Sequence, residues 1–143
     1  MEGFKPNMKV YQVYPEANSQ AITRFGSENV ALARLLHLQS EAFVHAIVFS
    51  PGGRLGYHPA TSSQLFLVVQ GEGWVRGQPE QVRPIRAGQA VFWEKGEGHA
   101  SGTQGGMVAI VIESDRMEPG EFLSPASVPV PEKPDSARNE GQK

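Results

Sequence analysis

The chain has 143 residues, 39% of them hydrophobic and 20% charged, with a formal net charge of -2. That length suits one domain with a real core, and the absence of a basic surplus argues against nucleic acid or an anionic membrane surface as the main partner. There is no cysteine, which removes disulfides, thiolate metal sites and a cysteine nucleophile.

In chain order, Val10–Tyr14 is rich in β-formers and is stopped by Pro15. Residues 21–25 read as a second short strand. Residues 29–38 (NVALARLLHL) favour helix by propensity, but the alternation of Val30, Leu32 and Arg34 tips the expectation to strand. Phe43–Phe49 is a strand apolar on both faces, ended by Pro51-Gly52-Gly53. Leu65–Gln70 is another. Gly71-Glu72-Gly73 reads as a tight turn leading into a strand that starts at Trp74. Gln81–Ile85, Ala90–Trp93 and Met107–Ile112 complete the set. Short strands with glycines between them predict an all-β sandwich or barrel.

Composition divides the chain into three parts. Residues 1–40 are expected to supply strands covering a barrel formed by 41–118, and 119–143 form a proline-rich tail holding five of the eleven prolines. Its last twelve residues, 132–143, are expected to be disordered. The opening MEGFKPNMKV has no apolar secretory core, and no apolar run reaches about 18 residues, so the expected location is cytoplasmic with no membrane span.

Two spaced motifs carry the chemistry. The first runs Gly52, five residues, His58-Pro59-Ala60, three residues, Gln64, six residues, Gly71. The second runs Gly88, five residues, Glu94-Lys95-Gly96, two residues, His99, three residues, Thr103. If these segments are extended, alternate side chains share a face. That groups His58 with Ala60, Gln64 with Phe66 and Val68, and His99 with Ser101 and Thr103. A small barrel brings these sets around one interior pocket, with Trp93 as a further wall candidate. His45, an unusual residue in its apolar strand, is a candidate to join them. His37 and Glu97 are expected to be structural or solvated, the latter as a glycine-flanked turn residue.

Over roughly residues 40–115 these motifs resemble those of the cupin superfamily, which implies a double-stranded β-helix, or jelly-roll barrel. The resemblance implies three histidines and one glutamate as metal ligands. His58 and His99 match two of the histidines, Ala60 stands where the third would be, and Gln64 stands at the glutamate position. Glu94 and Thr103 replace the proline and asparagine of the second motif. The expected metal site is therefore degenerate, with His58, Gln64 and His99 as ligands and His45 as an additional candidate. Such a set would hold a divalent transition metal (zinc, nickel, copper, iron or manganese) weakly or not at all.

The expected function is binding of a small organic molecule in a mostly apolar pocket lined by Ala60, Phe66, Val68, Ser101 and Trp93. Metal-assisted oxygenation, isomerisation or cyclisation are the reaction classes the resemblance implies. Two alternatives stay open: a metal-free enzyme using His58 or His99 for acid–base chemistry, and a non-catalytic binding or sensing module. Strands apolar on both faces predict that the outer face is covered as well. The resemblance favours a homodimer.

Overall fold

The structure is a computed structural model and describes residues 8–15, 19–78 and 81–127. The expected disorder of 132–143 lies outside the described residues. The elements are β1 (Lys9–Gln12), β2 (Gln20–Ala21), a 3-10 turn (Arg24–Gly26), β3 (Ala31–Leu32), β4 (Ala42–Phe49), β5 (Arg54–Pro59), β6 (Ser63–Arg76), β7 (Val82–Arg86), β8 (Gln89–Trp93), β9 (Gly98–Gly102), β10 (Met107–Ser114), a second 3-10 turn (Pro119–Glu121) and β11 (Ser124–Pro125). The described residues are all-β with no α-helix, as the short strands separated by glycines predict.

One sheet runs β11-β1-β8-β6-β10-β4, and every ladder in it is antiparallel. A second face is built from β5, β9, the distal half of β6, and β7. β6 belongs to both. Its first half, Gln64–Gly71, pairs with β8 and β10, and its second half, Glu72–Arg76, pairs with β7 and β9. This one strand closes the two faces around a core of Val10, Phe66, Val68, Val75, Ile85, Val91, Trp93 and Met107.

The tight turn expected at Gly71-Glu72-Gly73 is therefore not a turn. The backbone passes through it as a single strand of 14 residues. Gly71 takes φ +81, a conformation that glycine adopts without a Cβ penalty. A Cβ on Gly71 would run into the Gly106 carbonyl, and one on Gly73 into the Gly102 carbonyl. The glycines thus let the strand bend between sheets against two close backbones.

Other expectations change as well. Of the second predicted strand only Ala21 is extended, in the two-residue strand Gln20–Ala21 that pairs with Ala31–Leu32. The rest of 21–25 turns at Phe25 (φ 59), whose side chain is exposed. In 29–38 the only strand is Ala31–Leu32. After it, Ala33, Leu35 and Leu36 pack against a second apolar cluster of Tyr11, Val13, Leu65, Leu67, Phe92 and Leu123 on the outer face of the sheet. β1 lies within that sheet, between β8 and β11. β9 (GHASG) has almost no apolar content, yet all five of its residues are buried.

Candidate functional site

β5 and β9 place the two motif histidines directly opposite each other. His58 and His99 are register partners in an antiparallel ladder, and residues opposite one another on such a ladder share a face. Their ring centroids are 4.4 Å apart, with the planes tilted by 57°. His99 is buried, at 2% exposure, while His58 is half-buried. One ring therefore sits inside and its neighbour reaches toward solvent.

The two rings are oriented in the same way. His58 Nδ1 lies 2.6 Å from the Gly56 carbonyl oxygen, and His99 Nδ1 lies 3.1 Å from the Glu97 carbonyl oxygen. A carbonyl only accepts, so each Nδ1 carries the hydrogen and donates it. This leaves each Nε2 with its lone pair, which is the tautomer a metal or a ligand hydroxyl needs. Burial pushes the His99 pKa down to about 4, and the nearby His58 adds to the lowering, while the Glu97 carbonyl acts in the opposite sense. His99 is thus neutral at pH 7.

A chain of aromatic rings continues inward. Trp93 stacks on His99 at 4.1 Å and 22°. Phe66 meets Trp93 edge-on at 5.8 Å, and Phe49 meets Phe66 edge-on at 6.2 Å. Gln64 is 8% exposed and is the ladder partner of Trp93, so its side chain leaves the same face of the sheet. Trp93 and Ser101 are each 1% exposed, and the Trp93 Nε1 and Ser101 Oγ have no hydrogen-bond partner among the described residues. Unsatisfied buried polar groups are rare because each costs about 1–3 kcal/mol. Two beside one buried histidine give the interior unused hydrogen-bonding capacity.

The predicted wall residues divide. Phe66, Val68, Trp93 and Ser101 do face the interior. Phe66 and Val68, however, are packed into the core rather than facing open space. Ala60 is 2% exposed and tied by its backbone, donating to the Glu97 carbonyl and accepting from Gly96 N–H. Thr103 serves the following turn: its hydroxyl donates to the Glu72 carbonyl and accepts from Gly106 N–H. His45 is exposed on β4, and its ring contact is Phe43 at 6.4 Å. Sequence reasoning expected Glu97 to be solvated. Instead it is fully buried, and a carboxylate oxygen accepts from Glu94 N–H.

A half-open cavity of about 820 Å³ lies away from the histidines, lined by Val10, Trp74, Arg83, Ile85, Arg86 and Gln89 among others. Parity along a strand predicts which way side chains point, not whether space remains between them. That is why the mostly apolar pocket expected at His58 and His99 reads here as a packed aromatic interior.

The donor set fits a metal in part. Two imidazoles bound to one ion through nitrogens at about 2.1 Å have ring centres about 4.6 Å apart at a right angle and about 5.3 Å apart at a tetrahedral one; the 4.4 Å spacing is near the first and short of the second. Among the described residues, no three His, Asp or Glu side chains gather closely enough to hold an ion. A third protein donor would then be a neutral group such as the Gln64 amide.

No protein-family model matches the sequence. No curated protein matches it either. Similar solved structures include an RmlC-like cupin from Shewanella frigidimarina, 24% identical over 55% of this chain and 70% of that one, with a TM-score of 0.50. A DMSP lyase from Ruegeria pomeroyi is 19% identical over 54% of this chain and 40% of that one, also at 0.50. A cupin-like protein from Thermotoga maritima is 25% identical over 52% of this chain, with a TM-score of 0.49. The chain spans 57% of the length of the Thermotoga protein. The likeness is one of fold.

Proposed function

The chain has the cupin fold, and on that premise we propose that it binds a small organic molecule at the His58–His99 pair, with Gln64 as a third polar contact. The observation that carries this reading is the shared orientation of the two rings. Each Nδ1–H is held by a backbone carbonyl two residues earlier, so both Nε2 lone pairs are available together. Histidines placed only for packing would not need the same tautomer on facing strands.

His58, His99 and Gln64 are the residues that would hold a divalent transition ion. When bound, it supplies Lewis-acid polarisation of a ligand oxygen. Losing one imidazole and one carboxylate relative to the full cupin set makes the site weaker and less charged. Trp93 excludes water from one face of His99. Oxygenation, isomerisation or cyclisation at such a centre rests on this same reading.

A metal-free use rests on a separate observation. A buried histidine whose pKa is pushed to about 4 stays neutral and keeps its Nε2 lone pair, and half-buried His58 beside it is open to solvent. A non-catalytic binding module would use the same groups as hydrogen-bond acceptors.

Elemental analysis separates these readings. Protein purified without chelators and equilibrated with micromolar zinc, nickel, copper, manganese or iron is expected to take up ion substoichiometrically, rising with metal concentration. His58→Ala and His99→Ala should each lose it, and Gln64→Ala should weaken it by about tenfold or more. Wild type with no retained ion, or retention unchanged in both histidine variants, sinks the metal reading and leaves the metal-free one.

A further inference from the structure

The cavity of about 820 Å³ has none of His58, Gln64 or His99 in its lining. Its volume falls within the roughly 300–1,000 Å³ of small-molecule sites. It opens beside β7, which pairs with β6 alone and leaves its other edge unpaired. Across from β7 the lining comes from Val10 on β1 and from Ala126 and Ser127, which follow β11. Val10, Ile85 and Ala126 belong to one buried apolar cluster and give the cavity an apolar wall.

Three charged residues line the cavity: Glu72, Arg83 and Arg86. Glu72 and Arg86 stand directly opposite each other on the β6–β7 ladder, so their charges offset. Arg83 stands opposite Val75, which is fully buried and neutral. The cavity therefore keeps one uncompensated positive charge, and it is Arg83.

Arg83 shares a face of β7 with Ile85, the side turned to the core. It is half-buried, and among the described residues no carboxylate pairs with its guanidinium. Such a group has given up part of its hydration without a counter-charge in return. An inward charge also blunts an edge strand against other chains, but that role does not require a cavity beside the charge. The Gln89 amide is already committed. It donates to Gln12 Oε1 at 3.1 Å and accepts from the Arg86 N–H at 3.2 Å, which fixes the end of β7. That leaves Arg83 as the donor that faces a guest.

We propose that this cavity is a second ligand site, for a small amphipathic organic acid. The acid group, a carboxylate or a phosphate, sits on the Arg83 guanidinium, whose planar fork matches either one. The apolar body lies along the wall of Val10, Ile85 and Ala126. The site does not depend on how the histidine pair is used.

Amide chemical-shift titration of the isotope-labelled full chain tests the proposal, with naphthoate, naphthyl phosphate and the neutral naphthamide as probes. Both acids are expected to move the Ile85 and Ala126 amides saturably, and the tighter of the two names the acid group. Naphthamide, of similar size but uncharged, should bind about tenfold or more weakly. Arg83→Gln should weaken the acids by a similar factor. Ser127→Asp, exposed on the rim, adds a competing carboxylate away from the core and should also weaken them. His99→Gln should leave their affinity unchanged. The proposal is overturned if the acids leave Ile85 and Ala126 unmoved, or if naphthamide binds as tightly as naphthoate. It is equally overturned if Arg83→Gln and Ser127→Asp both bind the acids like wild type, or if His99→Gln abolishes binding.

Discussion

His99 is where sequence, burial and chemistry meet most closely. Its backbone position on β9 buries it, Trp93 covers one face of the ring, and the Glu97 carbonyl fixes its tautomer. The lowered pKa makes a stability statement. Unfolded, the imidazole titrates near 6.5, and folded near 4. Between these values the unfolded chain binds more protons. The folded state therefore keeps its full stability above pH 6.5 and loses it as pH falls toward 4, by roughly 3 kcal/mol in all. Urea denaturation of metal-free protein at pH 7 and pH 4.5 should show wild type losing roughly 2–3 kcal/mol more than His99→Gln. An equal loss in both proteins would mean that His99 is not the buried neutral group described.

At the scale of elements, β6 organises the fold and Gly71 is its hinge. Gly71→Ala places a methyl at φ +81 and against the Gly106 carbonyl. It should destabilise by about 2–4 kcal/mol. Gly105→Ala, in open space at ordinary φ, should stay within about 0.5 kcal/mol. Thermal melts of the two variants decide the point, and matching curves would refute the hinge. This strand also marks the limit of reading elements from sequence. β4, β8 and β10 were legible because apolar runs bounded by turn residues have few other meanings. Gly-Glu-Gly was not, since a turn and a bend through a crowded crossing ask for the same residues, and only the neighbouring backbones distinguish them. β9 lacks an apolar run because Gly98 and Gly102 are small to fit against Tyr57 and Trp74. Motif spacing located His58 and His99 as a pair. The stacking of Trp93, the two carbonyl pins and the buried Glu97 depend on β8 and the 94–97 turn meeting in space, which spacing cannot express.

At the scale of the molecule, the outer face of the sheet is covered on one side only. Leu35, Leu36, Met117, Phe122 and Leu123 close the part over β1, β8 and β6. Among the described residues the strip over β10 and β4 stays open. The described residues contain no helix long and apolar enough to cross a membrane. Arg83 and Arg86 line the cavity between β7 and the β1–β11 edge, and neither His58 nor His99 lines it. The protein thus has a packed histidine centre on one ladder and an open crevice on another.

The central claim is that His58 and His99 present two Nε2 lone pairs to a common guest. Long-range proton–nitrogen correlation of the histidine side chains tests it most directly, recorded at pH 7 before and after one equivalent of zinc. The expected result is an Nδ1–H tautomer for both rings and a shift of both Nε2 resonances on titration. An Nε2–H tautomer at either residue would contradict it, whereas two Nε2 resonances that zinc leaves unmoved would remove only the metal use of the pair.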